Sequence, residues 1–416
     1  MAAVYRRFRP FVFAPWLIIA LLVSACDTLE IGGRQPSTSG PQVATEPLPE
    51  EGAAEGTGGV TLRPGGPPAP AADAVRVGLL LPLSGPQAGL GKAMLKAAEL
   101  ALFDLSDQHF ELLSYDTKGT PEGAEAAAHT ALGDGSRFLL GPLLSSSARA
   151  VAPVASAAGV PVVSFSSDRT VAGSGVYVLG FTPEAEVRRV MGHAADAGLT
   201  RIAVLAPQDG YGNAVVSEAK QVAAGMGVRL VRTQFYDPAG PDFGPAVEAV
   251  ARSQPGSSPP FDGLLVADGG ERLRAIGAQL PVHGVQQPTV RVLGTGAWDD
   301  PSVGTEPALV GGWFAAPSPA YRESFQSQYR EAFGQQPPRL ATLAYDATAL
   351  AAVLAASPAY LPFDRSAIED PKGFLGRDGI FRFGPDGVVQ RGLAVLEVDR
   401  GGSRVISEPP SSFGGS

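Results

Sequence analysis

Val75, Val77, Leu79, Leu80 and Leu81 form a near-continuous apolar run that Pro82 closes. Such a run predicts a parallel strand covered on both faces. Beyond it the period changes, because Met94, Leu95, Ala98, Leu102 and Leu105 recur at helical spacing. Leu83 to Gly91 is therefore expected to be the loop at the carboxyl end of the strand, the end of an open α/β sheet that carries the binding crevice.

The same strand, loop and helix rhythm repeats along the chain. Strands are expected at Phe110 to Tyr115, Arg137 to Leu140, Val160 to Phe165, Val176 to Phe181, Ile202 to Leu205, Val228 to Phe235, Gly263 to Ala267 and Val290 to Leu293. Helices are expected between them, at Pro121 to Leu132, Ser146 to Ala158, Glu184 to Ala197, Ala214 to Met226 and Glu271 to Leu280. Alternation of this kind implies parallel sheets with helices on both faces. A single twisted sheet of ten or more strands is uncommon, and the rhythm restarts at Arg201, so two lobes are expected. Near the end, two consecutive helices (Pro319 to Phe333, Leu340 to Ala356) precede two short strands, Gly379 to Phe383 and Gly392 to Val398, around the turn Pro385-Asp386-Gly387. That break suits a chain crossing between lobes again.

The first 73 residues do not share the pattern. Arg6, Arg7 and Arg9 precede an apolar run, Phe11 to Val23, that ends in Val23-Ser24-Ala25-Cys26. A charged start, a short apolar middle and small residues before a cysteine match a lipoprotein export signal. A short membrane anchor with an incidental cysteine is the alternative. Cys26 is the only cysteine, so no intramolecular disulfide can form, and lipidation is its expected role. Asp27 resembles an inner-membrane retention signal of enteric lipoproteins. From Asp27 to Ala72 the chain is rich in Gly, Pro, Ala, Thr and Glu without apolar periodicity, as in a disordered tether with a root-mean-square reach of about 35–40 Å. The expected plan is a signal peptide (1–25), lipidated cysteine and tether (26–73), a first lobe (74–182 with 318–362), a second lobe (183–317 with 363–408) and a tail (409–416).

Composition narrows the chemistry. Of 416 residues 44% are hydrophobic, enough for two cores, and the net charge of −9 comes with no basic run interleaved with aromatics. A nucleic-acid partner is therefore not expected. His109, His129, His193 and His283 are scattered without ligand-pair spacing, so neither a metal site nor a catalytic triad can be named. Gly141-Pro142-Leu143-Leu144-Ser145 lacks the closing glycine of a nucleophile elbow. Gly89-Leu90-Gly91 lacks the third glycine of a dinucleotide fingerprint, since Met94 stands there. No catalytic activity and no cofactor are expected. Ser145, Ser146 and Ser147 open a helix, where free N–H groups and hydroxyls together suit an anion; the alternative is a single serine capping the helix.

Taken in order, several segments resemble the type I periplasmic binding proteins of the leucine/isoleucine/valine-binding family. They are Val77-Gly78-Leu79-Leu80 with Ser84-Gly85-Pro86 and Gly91; Gly141 to Ser146; Gly159-Val160-Pro161; Tyr211-Gly212; Asp242-Phe243; Tyr345-Asp346-Ala347; and Gly379 to Phe383 with Asp386-Gly387. The resemblance spans Val75 to about Val398 and implies an α/β fold of two doubly wound parallel-sheet lobes joined by three crossovers. Gly294 to Pro301 and Gly312 to Pro317 are similar to the branch of penicillin-binding-protein activator lipoproteins, in which the fold is thought to contact a peptidoglycan synthase.

The resemblance also implies site residues. Ser145, with Ser146, would hold a ligand carboxylate; Ser167 and Asp168 would contribute from the next loop; Tyr211 would cover the ligand or pack its own loop. An aromatic wall of the family falls at Leu90. The acidic group that pairs with an amino-acid ammonium falls near Gly294 to Gly296, where no carboxylate stands, so Asp268, Asp299 or Asp300 would have to replace it. Trp298 would line the cleft or fill the core of the second lobe. The expected function is hinge closure on an amino-acid-like solute or cell-wall fragment, in the periplasm, with the inner or outer membrane holding the lipid. The partner is then either a peptidoglycan synthase or the permease of an ABC transporter.

Overall fold

The computed structural model describes residues 75–105, 110–252, 258–356 and 363–413. The segments expected to form an export signal and a tether, with Cys26, His109 and the last three residues, lie outside the described residues. Among the described residues no helix is long and apolar enough to cross a membrane.

The chain begins β1 (Val75–Leu81), α1 (Ala88–Leu105), β2 (Phe110–Asp116), α2 (Pro121–Gly133), β3 (Phe138–Leu140), α3 (Ser145–Ala158), β4 (Val162–Ser164) and β5 (Val176–Val178). These strands form one sheet in the order β2-β1-β3-β4-β5, and every pairing is parallel. Successive residues of a strand face opposite sides. Accordingly Leu79 and Leu81 enter one core with Met94 and Phe138, while Leu80 enters another with Ala124, Ala128 and Val151. Both faces are covered, which is why the run at Val75 is continuous rather than alternating.

The chain then crosses at Phe181-Thr182 into α4 (Pro183–Asp196), β6 (Arg201–Pro207), α5 (Gly210–Ala223), β7 (Arg229–Tyr236), α6 (Gly244–Ala251), β8 (Gly263–Val266), α7 (Gly270–Gln279), β9 (Arg291–Gly294) and β10 (Trp313–Ala316). It returns through α8 (Pro319–Phe333), α9 (Ala341–Ala355), α10 (Arg365–Ile368), β11 (Phe374–Gly376), β12 (Gly379–Phe383) and β13 (Val389–Arg391), then crosses again into β14 (Ala394–Asp399) and β15 (Gly402–Ser407). The second large sheet has the order β15-β14-β10-β9-β8-β6-β7, parallel from β7 to β10 and antiparallel at β14 and β15. It too has a core on each face, with Ala203 and Leu205 on one side and Ile202 and Val204 on the other. The result is the expected α/β architecture, with one parallel sheet, one mixed sheet that is mainly parallel, and a small antiparallel sheet of β11, β12 and β13.

Three local expectations change. Phe363, Ile368, Phe381, Phe383 and Val389 join the core of the first lobe, so the segment from 363 to β13 is not part of the second lobe and only β14 and β15 are. The turn at Asp386 joins β12 to β13, not to β14, because Gly392-Leu393 has already left the first lobe. The loop after β1 is also shorter than expected, since α1 starts at Ala88. Gly91 therefore lies in the first turn of α1, where a Cβ would sit 2.0 Å from the Pro82 carbonyl oxygen. The same device recurs in the second lobe, where a Cβ on Gly212 would meet the Pro207 carbonyl oxygen at 1.9 Å. These glycines let a helix start close against the strand before it.

Candidate functional site

A cavity of about 630 Å³ opens between elements of the two lobes. Ser167, Asp168, Arg169 and Thr170 line it from the loop after β4, Pro183 and Glu184 from the crossover into α4, and Tyr211, Asn213, Ser217, Glu218 and Gln221 from α5. Three of the expected site residues, Ser167, Asp168 and Tyr211, thus share one cavity.

The side chains of Asp168 and Tyr211 are already ordered by neighbours. Asp168 accepts from the Thr170 amide at 2.9 Å and hydroxyl at 2.6 Å, and from Arg149 Nη2 at 2.6 Å. Burial works against its charge, but these donors outweigh it and hold the carboxyl below its ordinary value. Tyr211 shares a hydrogen bond of 2.6 Å with the Thr295 hydroxyl, and burial raises its phenol. Glu184 is different. Its Oε2 is buried without a hydrogen-bond partner, and burial pushes its carboxyl upward.

The remaining expected residues do not line this cavity. Ser145 is half-buried and Ser146 exposed at the start of α3, and the buried Ser147 turns its hydroxyl to the Thr120 carbonyl at 3.3 Å. Leu90 packs against the first-lobe core. Asp268 is spent within its own lobe: it accepts from the Gly269 amide at 2.7 Å, from Arg272 Nε at 2.9 Å and from the Tyr236 hydroxyl. Trp298 is 1% exposed, in the second-lobe core. A Cβ on Gly294 would lie 2.2 Å from its ring and one on Gly312 2.8 Å, so both glycines make room for the indole. Asp300 accepts from the Ser302 amide at 2.8 Å and caps the short turn that follows.

One carboxylate escaped the sequence reading. Glu186, in the first turn of α4, is buried and its Oε2 accepts from the Gly296 amide at 2.9 Å. A side chain at Gly296 would bring its Cβ within 2.4 Å of Glu186 Oε1. The acid thus lies beside Gly294 to Gly296, buried and outside the lining of the cavity. The signal in the sequence, two glutamates after Thr182-Pro183, reads equally well as ordinary acids at a helix start. Among the described residues no group of His, Cys, Asp or Glu is arranged to hold a metal ion.

A family model described as periplasmic binding protein matches residues 74–403. The chain belongs to the periplasmic binding protein family. Among solved structures it is similar to a protein described as a branched-chain amino acid ABC transporter from Rhodospirillum rubrum, with a TM-score of 0.71 and 21% identity, covering 80% of this chain and 100% of the other. It is also similar to the branched-chain amino acid substrate-binding protein LivJ of Streptococcus pneumoniae in complex with isoleucine, at a TM-score of 0.59 and 16% identity over 80% and 99% of the two chains. An uncharacterised protein of Rickettsia prowazekii is 24% identical over 180 residues, 43% of this chain and 47% of the relative, so the chain spans about half the length of that curated relative.

In this periplasmic binding protein the crossovers converge on a buried ionic cluster. Asp299 of the second lobe takes Arg322 of α8 at 2.8 Å and Arg339 at 3.3 Å, and Arg339 also reaches Asp378 at 3.0 Å. Phe181, on the first crossover, lies between the guanidinium groups of Arg339 and Arg391, at 4.1 and 4.7 Å. Burial pushes Glu186 up to about 7; nearby Arg339 and Arg391 pull it down, and Asp299 adds to the rise. Asp346 is likewise pushed up to about 7, by burial and then by Asp378.

These shifts have a sign. A carboxyl raised from 4.5 to about 7 on folding makes the native state bind the extra proton. Its stabilising contribution is full at acid pH and is lost as pH rises through that range. Glu186→Gln cannot titrate, so its stability relative to the native protein should increase between pH 5 and pH 8 in urea melts. A constant difference across that range would contradict the placement.

Proposed function

We propose that this protein is a non-catalytic, lipid-anchored envelope receptor that closes on a small solute held in the cavity between its lobes. The observation that carries the reading is that Ser167 to Thr170 of one lobe and Tyr211 to Gln221 of the other line a single cavity. Its volume falls within the roughly 300–1,000 Å³ of small-molecule sites. A ligand touching both walls is bound better when they are close, so it shifts the open and closed populations, and a membrane partner can read the closed form. Delivery of an amino-acid-like solute to an ABC permease is one output. Docking on a peptidoglycan synthase and regulation of its activity, with a cell-wall fragment as the ligand sensed, is the other.

Asp268 is engaged by Arg272 and Asp299 by two arginines, so neither is left to meet a ligand ammonium, and an acceptor for one would have to come from elsewhere on the wall. Trp298 and β10 build core and sheet, so the segment similar to penicillin-binding-protein activators is not itself the docking surface. Heat denaturation across amino acids and cell-wall fragments tests the reading. At a hundred-fold excess over its dissociation constant, a true ligand should add about 2.7 kcal/mol. If no compound shifts the melt, solute binding is the wrong function.

The anchor has its own test. Cys26→Ser should move the mature protein from the membrane pellet to the soluble envelope fraction, because an acyl chain stabilises insertion by about 0.8 kcal/mol per buried methylene. Continued sedimentation with membranes would show that another segment holds it.

A further inference from the structure

We propose that the cavity takes a primary amine on a hydroxylated body, such as an amino sugar, and does not require a ligand carboxylate. The proposal rests on the reading of this cavity as the solute site and names the chemistry it selects.

Charge on the walls is the first argument. Asp168 is paired with Arg149, Glu218 with Arg188, and Arg169 with Asp386. Glu184 has no ion pair among the described residues; it takes one backbone N–H and feels Arg169 at longer range, but its Oε2 is buried without a hydrogen-bond donor. A buried, unmatched acceptor gains most from a charged donor, and a ligand ammonium supplies one. The Tyr211 ring lines the same cavity, where it can add a cation–π contact.

Anion binding is disfavoured by how the neighbouring helices start. The α5 terminus is already served by Asp209, whose Oδ1 accepts from the Gly212 amide at 2.8 Å. The α4 terminus carries Pro183, which has no N–H, and the acids Glu184 and Glu186. Neither helix offers a vacant positive end, and the serines of α3 lie outside the cavity. Ser167, Asn213, Ser217 and Gln221 place hydroxyls and amides on a wall whose larger share is carbon, so the ligand body is expected to offer both hydroxyls and apolar ring faces, as a sugar does. A branched aliphatic side chain would leave most of these groups unpaired; a polyhydroxylated one would not.

Calorimetric titration of the full-length protein with glucosamine, N-acetylglucosamine, glucose and leucine decides the matter. Glucosamine should bind roughly ten-fold or more tightly than the two uncharged sugars, since a single charge-assisted hydrogen bond carries that much discrimination. Glu184→Gln should abolish that preference while keeping the unliganded melting temperature, and Glu122→Gln, an exposed acid on α2, should leave it intact. Equal binding of glucosamine and glucose, or an undiminished preference in Glu184→Gln, overturns the proposal. Binding of leucine with silence from glucosamine overturns it too but leaves solute binding standing. Silence from these probes and from the wider amino-acid and cell-wall panel removes both.

Discussion

Asp299→Ala should lower the unfolding free energy by about 3–5 kcal/mol, the usual cost of removing one partner from a buried ion pair. The carboxylate is 12% exposed and receives Arg322 twice, at 2.8 Å to Oδ2 and 3.1 Å to Oδ1, and Arg339 once, at 3.3 Å. Arg339 would survive the loss, because Asp378 and the Phe181 ring still hold it. Arg322 would not. Its side chain is 10% exposed and no other carboxylate is paired with it among the described residues, so the substitution leaves a buried guanidinium uncompensated. Removing that charge as well should recover much of the loss. Asp299→Ala combined with Arg322→Met is therefore expected to be more stable than Asp299→Ala alone in urea melts, and an additive double variant would show that the pair is not coupled.

Because Asp299 belongs to the second lobe and Arg322 to the α8 helix that packs beside α1, the pair also ties the lobes together. The ligand affinity of Asp299→Ala should change along with its stability, whereas a pair internal to one lobe, such as Arg272 with Asp268, should affect stability more than affinity.

The second large effect is expected at Trp298. Truncation to alanine should cost about 3–5 kcal/mol, through lost burial and the void left beneath Gly294 and Gly312. Its ring also lies 6.4 Å from that of Phe314, in the middle of the second-lobe core. Since the indole does not line the interlobe cavity, a ligand that binds the native protein should bind Trp298→Ala with nearly the same affinity at a temperature where the variant remains folded. Loss of binding without loss of stability would place Trp298 at the site instead.

Trp298 also marks the limit of what a linear reading can resolve. Gly294-Thr295-Gly296 before the tryptophan and Gly312 after it are visible as a pattern, yet the pattern is the same whether the ring faces a cleft or fills a core. The three-dimensional reason is steric: two glycines from different segments leave a gap of the size of an indole. Leu90 is a comparable case. The start of α1 is hidden in a stretch of glycine, leucine and alanine, so a linear reading leaves Leu90 on a loop facing the cleft, whereas one turn more of helix directs it against the first-lobe core. The boundary near 363 is hidden for another reason, since Phe363, Phe381 and Phe383 carry no local mark of which lobe receives them.

What the chain determines by itself is local and periodic: the β1 run and the helix that follows, the two-sided burial of parallel strands, the restart at Arg201 and the glycines under Pro82 and Pro207. These depend on residues a few positions apart, and short-range sterics and alternation are enough to specify them. Only the tertiary structure decides the charges. Glu186 meets the Gly296 amide across 110 residues of sequence, Arg322 meets Asp299, and the Phe181 ring receives two guanidinium groups, one from the loop between α8 and α9 and one from the end of β13. No period encodes such pairings, because each depends on where the chain returns after leaving a lobe, and burial there sets which carboxylates are matched and which, like Glu184, are left open.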